Sequence, residues 1–249
     1  MRTLGIIPAR FASTRLPGKP LADIAGKSMV ARVLERAAKA GSLSEVVVAT
    51  DDPRITEHVS SIGGRAVMTD PSHPSGTDRC YEALCIVGRE QFDAVVNIQG
   101  DEPFLVPDQI EELCAALLSS HGGIATLGHR VSDEADLDDP GRVKITTTVH
   151  GDALYFSRAA IPYLRDPAGG TRTERFPYLR HVGLYAYRVE VLQRLVALRP
   201  SPLERAEALE QLRWLEHGFQ VRVGLTEHPT FCVDTPEDLE RARRMAGQH

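Results

Sequence analysis

The sequence is short of the features that build a cross-linked, membrane-bound or nucleic-acid-coating protein. Cysteine occurs only as Cys80, Cys85, Cys114 and Cys232 in 249 residues. No two form a C-x-x-C pair and no nearby histidine completes a zinc pattern. Neither a disulfide framework nor a structural zinc is expected, and the thiols are read as reduced. No run approaches the ~18 consecutive apolar residues that cross a bilayer. Residues 1–10 carry Arg2 and Pro8 in place of a long apolar stretch, so no signal peptide is expected. A soluble, cytoplasmic chain is the expectation. Excess positive charge is missing as well: 29 Lys and Arg face 34 Asp and Glu, a formal net charge of −5. That balance argues against DNA or RNA as a partner. Repeats and low-complexity tracts are absent. With 42% hydrophobic residues, the composition and length suit one α/β domain with a sizeable core.

What is present begins with order. "TLGIIPA" reads as a buried strand, and "SMVARVLERAAKAG" as a helix stopped by Gly41. "SEVVVATDD", "RAVMTD" and "DAVVNIQGDEP" read as further strands. "PRITEHVSSIGG", "SGTDRCYEALCIVG" and "VPDQIEELCAALLSS" read as the helices around them. Such alternation marks a mostly parallel sheet with helices on both faces, where ligands gather at the carboxyl ends of the strands. Polar clusters fall at those ends, at 9–19, 50–53, 69–79 and 99–103. The second half differs. "GIATLGHRV", "RVKITTTV", "ALYFSR" and "HVGLYAYRV" read as strands with no helices between them, an antiparallel portion. "DPAGGTRTER" reads as a mobile loop. "SPLERAEALEQLRWLEHG" reads as one helix from Ser201 to Gly218, "FQVRVGLT" as a strand, and "TPEDLERARRMAG" as a final helix capped by Thr235 with Pro236 first.

The first loop concentrates Arg10, Arg15 and Lys19, with Ser13, Thr14 and Gly18 among them. Cations among the free N–H groups between a strand and a helix make an anion site suited to a polyphosphate. Neither G-x-x-x-x-G-K-[ST] nor G-x-G-x-x-G is present, and a solvated basic loop is the alternative. Asp101 and Asp234 each follow a strand, where carboxylates hold Mg²⁺ beside phosphates. The alternatives are a helix-entry turn at Asp101 and helix capping shared with Thr235 at Asp234. Ser75, Gly76, Thr77 and Arg79 suit a nucleobase or ribose, or simply a capped helix start. His181 alone reads as structural, Glu210 and Gln211 as a solvated helix face, and Tyr155, Tyr185 and Tyr187 as packing.

Taken together, "IPARFASTRLPGKPL", "VVVATDD", "HPSGTDR", "NIQGDEP", "ALYFSRAAIP", "RHVGLYAYR", "SPLERAEALEQLRWLEHG" and "VDTPEDLERAR" resemble the 3-deoxy-manno-octulosonate (Kdo) cytidylyltransferases, in order along nearly the whole chain. The resemblance implies an α/β fold of nucleotide-diphospho-sugar transferase type. That fold is Rossmann-like, with a mixed, mostly parallel sheet in an α/β/α sandwich and a small β-rich dimerisation element. It implies a single cytidylyltransferase domain over 1–249, with residues 1–125 on the nucleotide side and 126–249 for sugar binding and dimerisation. It implies that CTP and Kdo give CMP-Kdo and diphosphate with Mg²⁺, for lipopolysaccharide biosynthesis, by a homodimer. By resemblance, Arg10, Ser13, Arg15 and Lys19 hold the phosphates. Ser75, Gly76, Arg79 and Gln99 line the cytidine pocket, and Asp101 and Asp234 bind Mg²⁺. Arg158, Arg165, His181, Glu210 and Gln211 hold the sugar acid. Lys19, Arg15, Asp101 and Asp234 form the catalytic set. Cys232 stands where the family usually has glycine. The rival readings are a cytidylyltransferase for another α-keto sugar acid, a nucleotide-sensing protein, and a glycosyltransferase, whose D-x-D motif is absent.

Overall fold

A computed structural model of the chain describes residues 1–12, 15–166 and 169–247. Its first half holds β1 (Thr3–Ala9), β2 (Asp23–Ile24), β3 (Lys27–Ser28), α1 (Met29–Ala37), β4 (Glu45–Thr50), α2 (Pro53–Ser61), β5 (Arg65–Met68), α3 (Gly76–Val87), β6 (Ala94–Asn97) and α4 (Pro107–Leu118). Its second half holds β7 (Ile124–Arg130), α5 (Glu134–Asp138), β8 (Lys144–Thr147), β9 (Ala153–Ser157), α6 (Arg172–Arg175), β10 (Leu179–Arg188), α7 (Val189–Val196), α8 (Pro202–Glu207), α9 (Gln211–Glu216), β11 (Arg222–Thr226) and α10 (Pro236–Ala246).

The chain divides into two compact units, the first made of residues 1–111, 188–196 and 230–249, the second of 112–187 and 197–229. In the first unit, β1 pairs in parallel with β4 and β6, and β4 with β5. Six of the seven β1 residues are buried, the continuous apolar pattern of a strand covered on both faces. Ser28 caps α1 by accepting from Ala31 N, and Asp52 caps α2 by accepting from Arg54 N. In the second unit, β11 runs parallel to β7, whereas β7–β10, β8–β10 and β8–β9 are antiparallel. The antiparallel portion expected from the sequence is therefore present.

Four expectations need correction. The first helix ends at Ala37 rather than Gly41, because the chain leaves it to bring Ser44 N onto the Thr3 carbonyl at 2.8 Å. The fourth long strand, β6, ends at Asn97, so the carboxylates at 101 and 102 lie in the loop beyond it. Short helices α5 and α6 do interrupt the second-half strands. Part of the stretch read as a mobile loop is α6, closed by a Thr171–Glu174 capping box and tied to Asp138 by the two terminal guanidinium nitrogens of Arg172 at 3.0 and 2.7 Å. Pro167 and Ala168 lie outside the described residues. Residues 201–218 form two helices, not one. Ala208 takes a left-handed conformation (φ 51°) between α8 and α9. Glu210 consequently precedes α9, and Gln211, expected on a solvated face, is buried.

Candidate active site

The first loop is folded against itself. Gly18 N donates to the Phe11 carbonyl at 3.0 Å, and Lys19 N to Leu16 O at 3.1 Å. Gly18 has φ +71°, and a Cβ there would stand 3.2 Å from the Phe11 ring, so both backbone and space favour glycine. The other partner of Phe11 is Arg54, whose guanidinium carbon lies 3.4 Å from the ring centroid. Arg54 is held by Asp52 through Nε at 2.9 Å and Nη2 at 2.6 Å. Arg10 donates to the His73 carbonyl, and His73 pairs with Glu82. The loop is thus held at Phe11 and Arg10 by α2 and by the segment around His73, while Arg15 stays exposed.

This anchoring sets the cations around a cavity of about 350 Å³ lined by Arg10, Arg15, Lys19, Gln99, Asp101 and Asp234, with Gly76 and Gly100 also on its wall. Gly100 is where the backbone crowds closest, since a Cβ there would meet the Pro8 carbonyl oxygen at 2.7 Å. Lys19 Nζ lies 2.7 Å from Asp101 Oδ2 and 3.2 Å from Asp234 Oδ1, and Arg15 reaches the same Asp234 oxygen at 3.3 Å. Burial works against the charge on Lys19. The Asp101 carboxylate, as neighbouring charge and hydrogen-bond acceptor, outweighs it together with Asp234, and the Lys19 pKa stands above the ordinary lysine value.

The alternative for Asp234 is resolved by α10. Thr235 and Asp238 cap that helix reciprocally, and Asp238 also accepts from Asp234 N. The Asp234 carboxylate is left to face Lys19 and Arg15. Val233 N donates to Asp101 O at 2.9 Å and so fastens the two carboxylate-bearing loops together. Donor atoms of Asp101, Asp234 and Cys232 fall within 4.8 Å of one another. Cys232 keeps an exposed surface, yet burial of its sulfur beside the carboxylates of Asp101, Asp234 and Glu102 raises its pKa. The sulfur stays a neutral thiol, and the two oxygen donors suit a hard divalent cation.

Other expected residues sit elsewhere. Ser75 caps α3 by accepting from Asp78 N. Arg79 is fully buried, donating to Thr69 Oγ1 and pairing with Asp51 at 3.0 Å. Both brace the helix that presents Gly76 without lining the cavity. Ser13 and its neighbour Thr14 lie outside the described residues.

The sugar-side residues belong to the second unit. Arg158 fans over three backbone carbonyls, those of Glu207 at 2.7 Å, Pro140 at 2.9 Å and Ala208 at 3.3 Å. Arg165 is exposed in a stretch without regular structure. His181 Nε2 lies 3.0 Å from Thr126 Oγ1, with its ring edge-on to Phe156 and tilted to Tyr185. Burial lowers its pKa to about 3, so the imidazole is neutral. Tyr185 in turn meets Trp214 of α9 edge-on at 5.0 Å, and α9 also carries buried Gln211. Sequence reasoning missed Glu207, which accepts from Ser157 Oγ at 2.6 Å and Arg158 N at 3.0 Å. It also missed Phe11 and Arg54. An arginine two residues after a capping aspartate was the one available signal.

The comparisons with known proteins decide the family. A cytidylyltransferase family profile matches residues 4–223. The 3-deoxy-manno-octulosonate cytidylyltransferase of Parabacteroides distasonis is 49% identical over 97% of both chains. The chain belongs to the 3-deoxy-manno-octulosonate cytidylyltransferase family. The relative from Geobacter metallireducens, of the same name, is 47% identical over 97% of this chain and 96% of its own. A solved structure of CMP:2-keto-3-deoxy-manno-octonic acid synthetase complexed with CTP superposes with a TM-score of 0.91 at 43% identity, covering 100% of this chain and 99% of that one. The mixed, mostly parallel α/β architecture is therefore the family's own. A cytidylyltransferase from Leptospira borgpetersenii, 18% identical with a TM-score of 0.64, shares the fold.

Proposed function

We propose that this chain is a Kdo cytidylyltransferase, joining CTP and Kdo as CMP-Kdo with release of diphosphate in lipopolysaccharide biosynthesis. The observation that carries the reading is one cavity in which Arg10, Arg15 and Lys19 meet two carboxylates, Asp101 beyond the end of β6 and Asp234 at the entry to α10. The anomeric hydroxyl oxygen of Kdo forms a bond to the α-phosphorus of CTP. The bond from that phosphorus to the bridging oxygen breaks, and diphosphate leaves with the electron pair. The hydroxyl proton passes to solvent water, and no protein nucleophile is needed.

The protein's part is positioning and charge neutralisation. Arg10 and Arg15 present planar forks to phosphate oxygens and Lys19 a point charge, with Ser13 assigned beside them. Lys19 and Arg15 offset the charge that builds on the departing diphosphate. Gln99 and Gly76 take the base side, braced by Ser75 and Arg79. Asp101 and Asp234 are the residues for Mg²⁺, which when bound neutralises phosphate charge and acidifies the sugar hydroxyl. Their fit rests on two carboxylates that already converge on one cation, Lys19. On the sugar side, neutral His181 exchanges hydrogen bonds with hydroxyls alongside Glu210 and Gln211. Arg158 and Arg165 answer the Kdo carboxylate.

We extend the proposal to a cytoplasmic homodimer. The exposed Val149 and Leu225, 97% and 64% accessible, support an apolar contact surface on the second unit. No helix among the described residues is long and apolar enough to cross a membrane. The test is diphosphate release from each nucleoside triphosphate in turn, with Kdo, Mg²⁺ and an EDTA control. Release that requires CTP, Kdo and metal is expected. Release only with another α-keto sugar acid would move the error to the sugar-side residues, and CTP binding without any release would replace catalysis by sensing.

A further inference from the structure

The ammonium of Lys19 takes up the same oxygens a metal ion would need. It donates to Asp101 Oδ2 and to Asp234 Oδ1, and its side chain is only 16% exposed. A divalent cation shared by these carboxylates draws on those lone pairs. An ammonium a few ångströms from such an ion is repelled, and the partly buried setting of Lys19 damps that repulsion less than bulk water would. The two cations are therefore alternatives at one place.

We infer that Lys19 is an internal counter-cation that competes with the divalent metal for Asp101 and Asp234, and that metal entry releases it toward the phosphates of the nucleotide. This rests on the functional reading above and deepens it. The exchange keeps every charge partnered: the metal takes the carboxylates and Lys19 takes a phosphate. Metal and triphosphate then each favour the arrangement in which Lys19 has left the carboxylates. By linkage, each tightens the binding of the other by the same factor. Without phosphate, Lys19 loses two carboxylate partners on metal entry and gains none, so metal alone binds weakly. The flexible stem of lysine suits the movement better than a guanidinium fork, which holds a carboxylate in fixed geometry.

The test titrates Mn²⁺ into the full chain without nucleotide and reads free ion by electron paramagnetic resonance. Lys19→Met is expected to bind Mn²⁺ about tenfold tighter than the unaltered protein. Lys19→Arg, which keeps the charge, stays weak, and Asp101→Asn added to Lys19→Met cancels the gain. Equal affinity in the unaltered and Lys19→Met proteins, with Asp101→Asn still weakening both, overturns the competition and leaves the metal site standing. Binding that ignores Asp101→Asn in every background overturns the assignment of the carboxylates, and the competition with it. A second readout needs no variant. Acylation of the Lys19 amine, quantified by mass spectrometry, rises when Mg²⁺ is added without nucleotide if the metal expels it, and flat or falling labelling counts against expulsion.

Discussion

Each unit shelters one lysine, and the two are neutralised in opposite ways. Lys19 is seated between two carboxylates, and its pKa stands above the ordinary value despite burial. Lys144 is fully buried at the start of β8 and donates to a neutral acceptor, the Asp139 carbonyl, at 2.9 Å. Burial dominates there, and its pKa falls below the ordinary lysine value although carboxylates of Asp139, Asp138, Asp136 and Glu207 pull the other way. The difference lies in the atom touched. A carboxylate oxygen holds the charge in place, whereas a carbonyl dipole only softens its desolvation. One lysine can exchange partners during a reaction; the other fastens a strand to the turn before it.

The largest effect is expected from Asp101→Asn, which removes half of the carboxylate pair around Lys19. Diphosphate release should fall about a thousandfold, with the melting temperature little changed. A fall in stability with activity intact would mean that the pair is structural, like the Lys144 contact. Arg213 asks whether pairing with a carboxylate marks function at all. It is buried in the second unit and pairs with Glu204 through Nε at 2.7 Å and through Nη2, while Nη1 donates to Leu198 O at 3.1 Å. Arg213→Met should cost about 3 kcal/mol of stability, read by urea unfolding. The hydrogen bond from Arg213 lowers the Glu204 pKa below 4.5. Its stabilisation is complete above that value and is lost as pH falls through the lower folded one. Glu204→Gln should flatten this acid limb.

The lysines separate further at alkaline pH. Lys144, lowered in the folded chain, makes stability rise with pH between its folded value and 10.5. Lys19, raised, contributes fully below 10.5 and loses its contribution as pH climbs through its folded value. Lys144→Met should remove the alkaline rise and Lys19→Met the alkaline loss, in unfolding curves from neutral to strongly alkaline pH. Two variants bending the profile the same way would end the contrast. The smallest effect belongs to Arg54→Met, which frees the Phe11 ring. It should cost about 0.5–1 kcal/mol and raise the KM for CTP more than it lowers kcat.

Much of the scaffold was legible in the sequence. The β1 run, Ser75 ahead of α3 and the Thr235-Pro236 start of α10 all announce themselves through apolar period or cap chemistry. Lys19, Asp101 and Asp234 were visible as charged residues in loops, but the strand expected directly ahead of Asp234 is not there, since β11 ends at Thr226. The break at Ala208 was not, because alanine is the best helix former and nothing local opposes it. The break accompanies tertiary contacts, in which Glu207 and the carbonyls of 207 and 208 are drawn to Ser157 and Arg158. Arg79 was equally illegible. As a residue of the SGTDR turn it reads as a ligand contact, yet it points into the protein toward Asp51.

The sequence by itself determined most of the longer strands and helices and the family whose motifs run along its length, but not the short helices α5 and α6 or the break between α8 and α9. Periodicity and capping act within a few residues, so they survive reading in one dimension. Only the tertiary structure decided which charges meet. Lys19 and Asp234 are 215 positions apart, and no local rule links them. Their contact exists because the chain returns, after the whole second unit, to hang Asp234 from α10 and tie Val233 to Asp101 beside the end of β6.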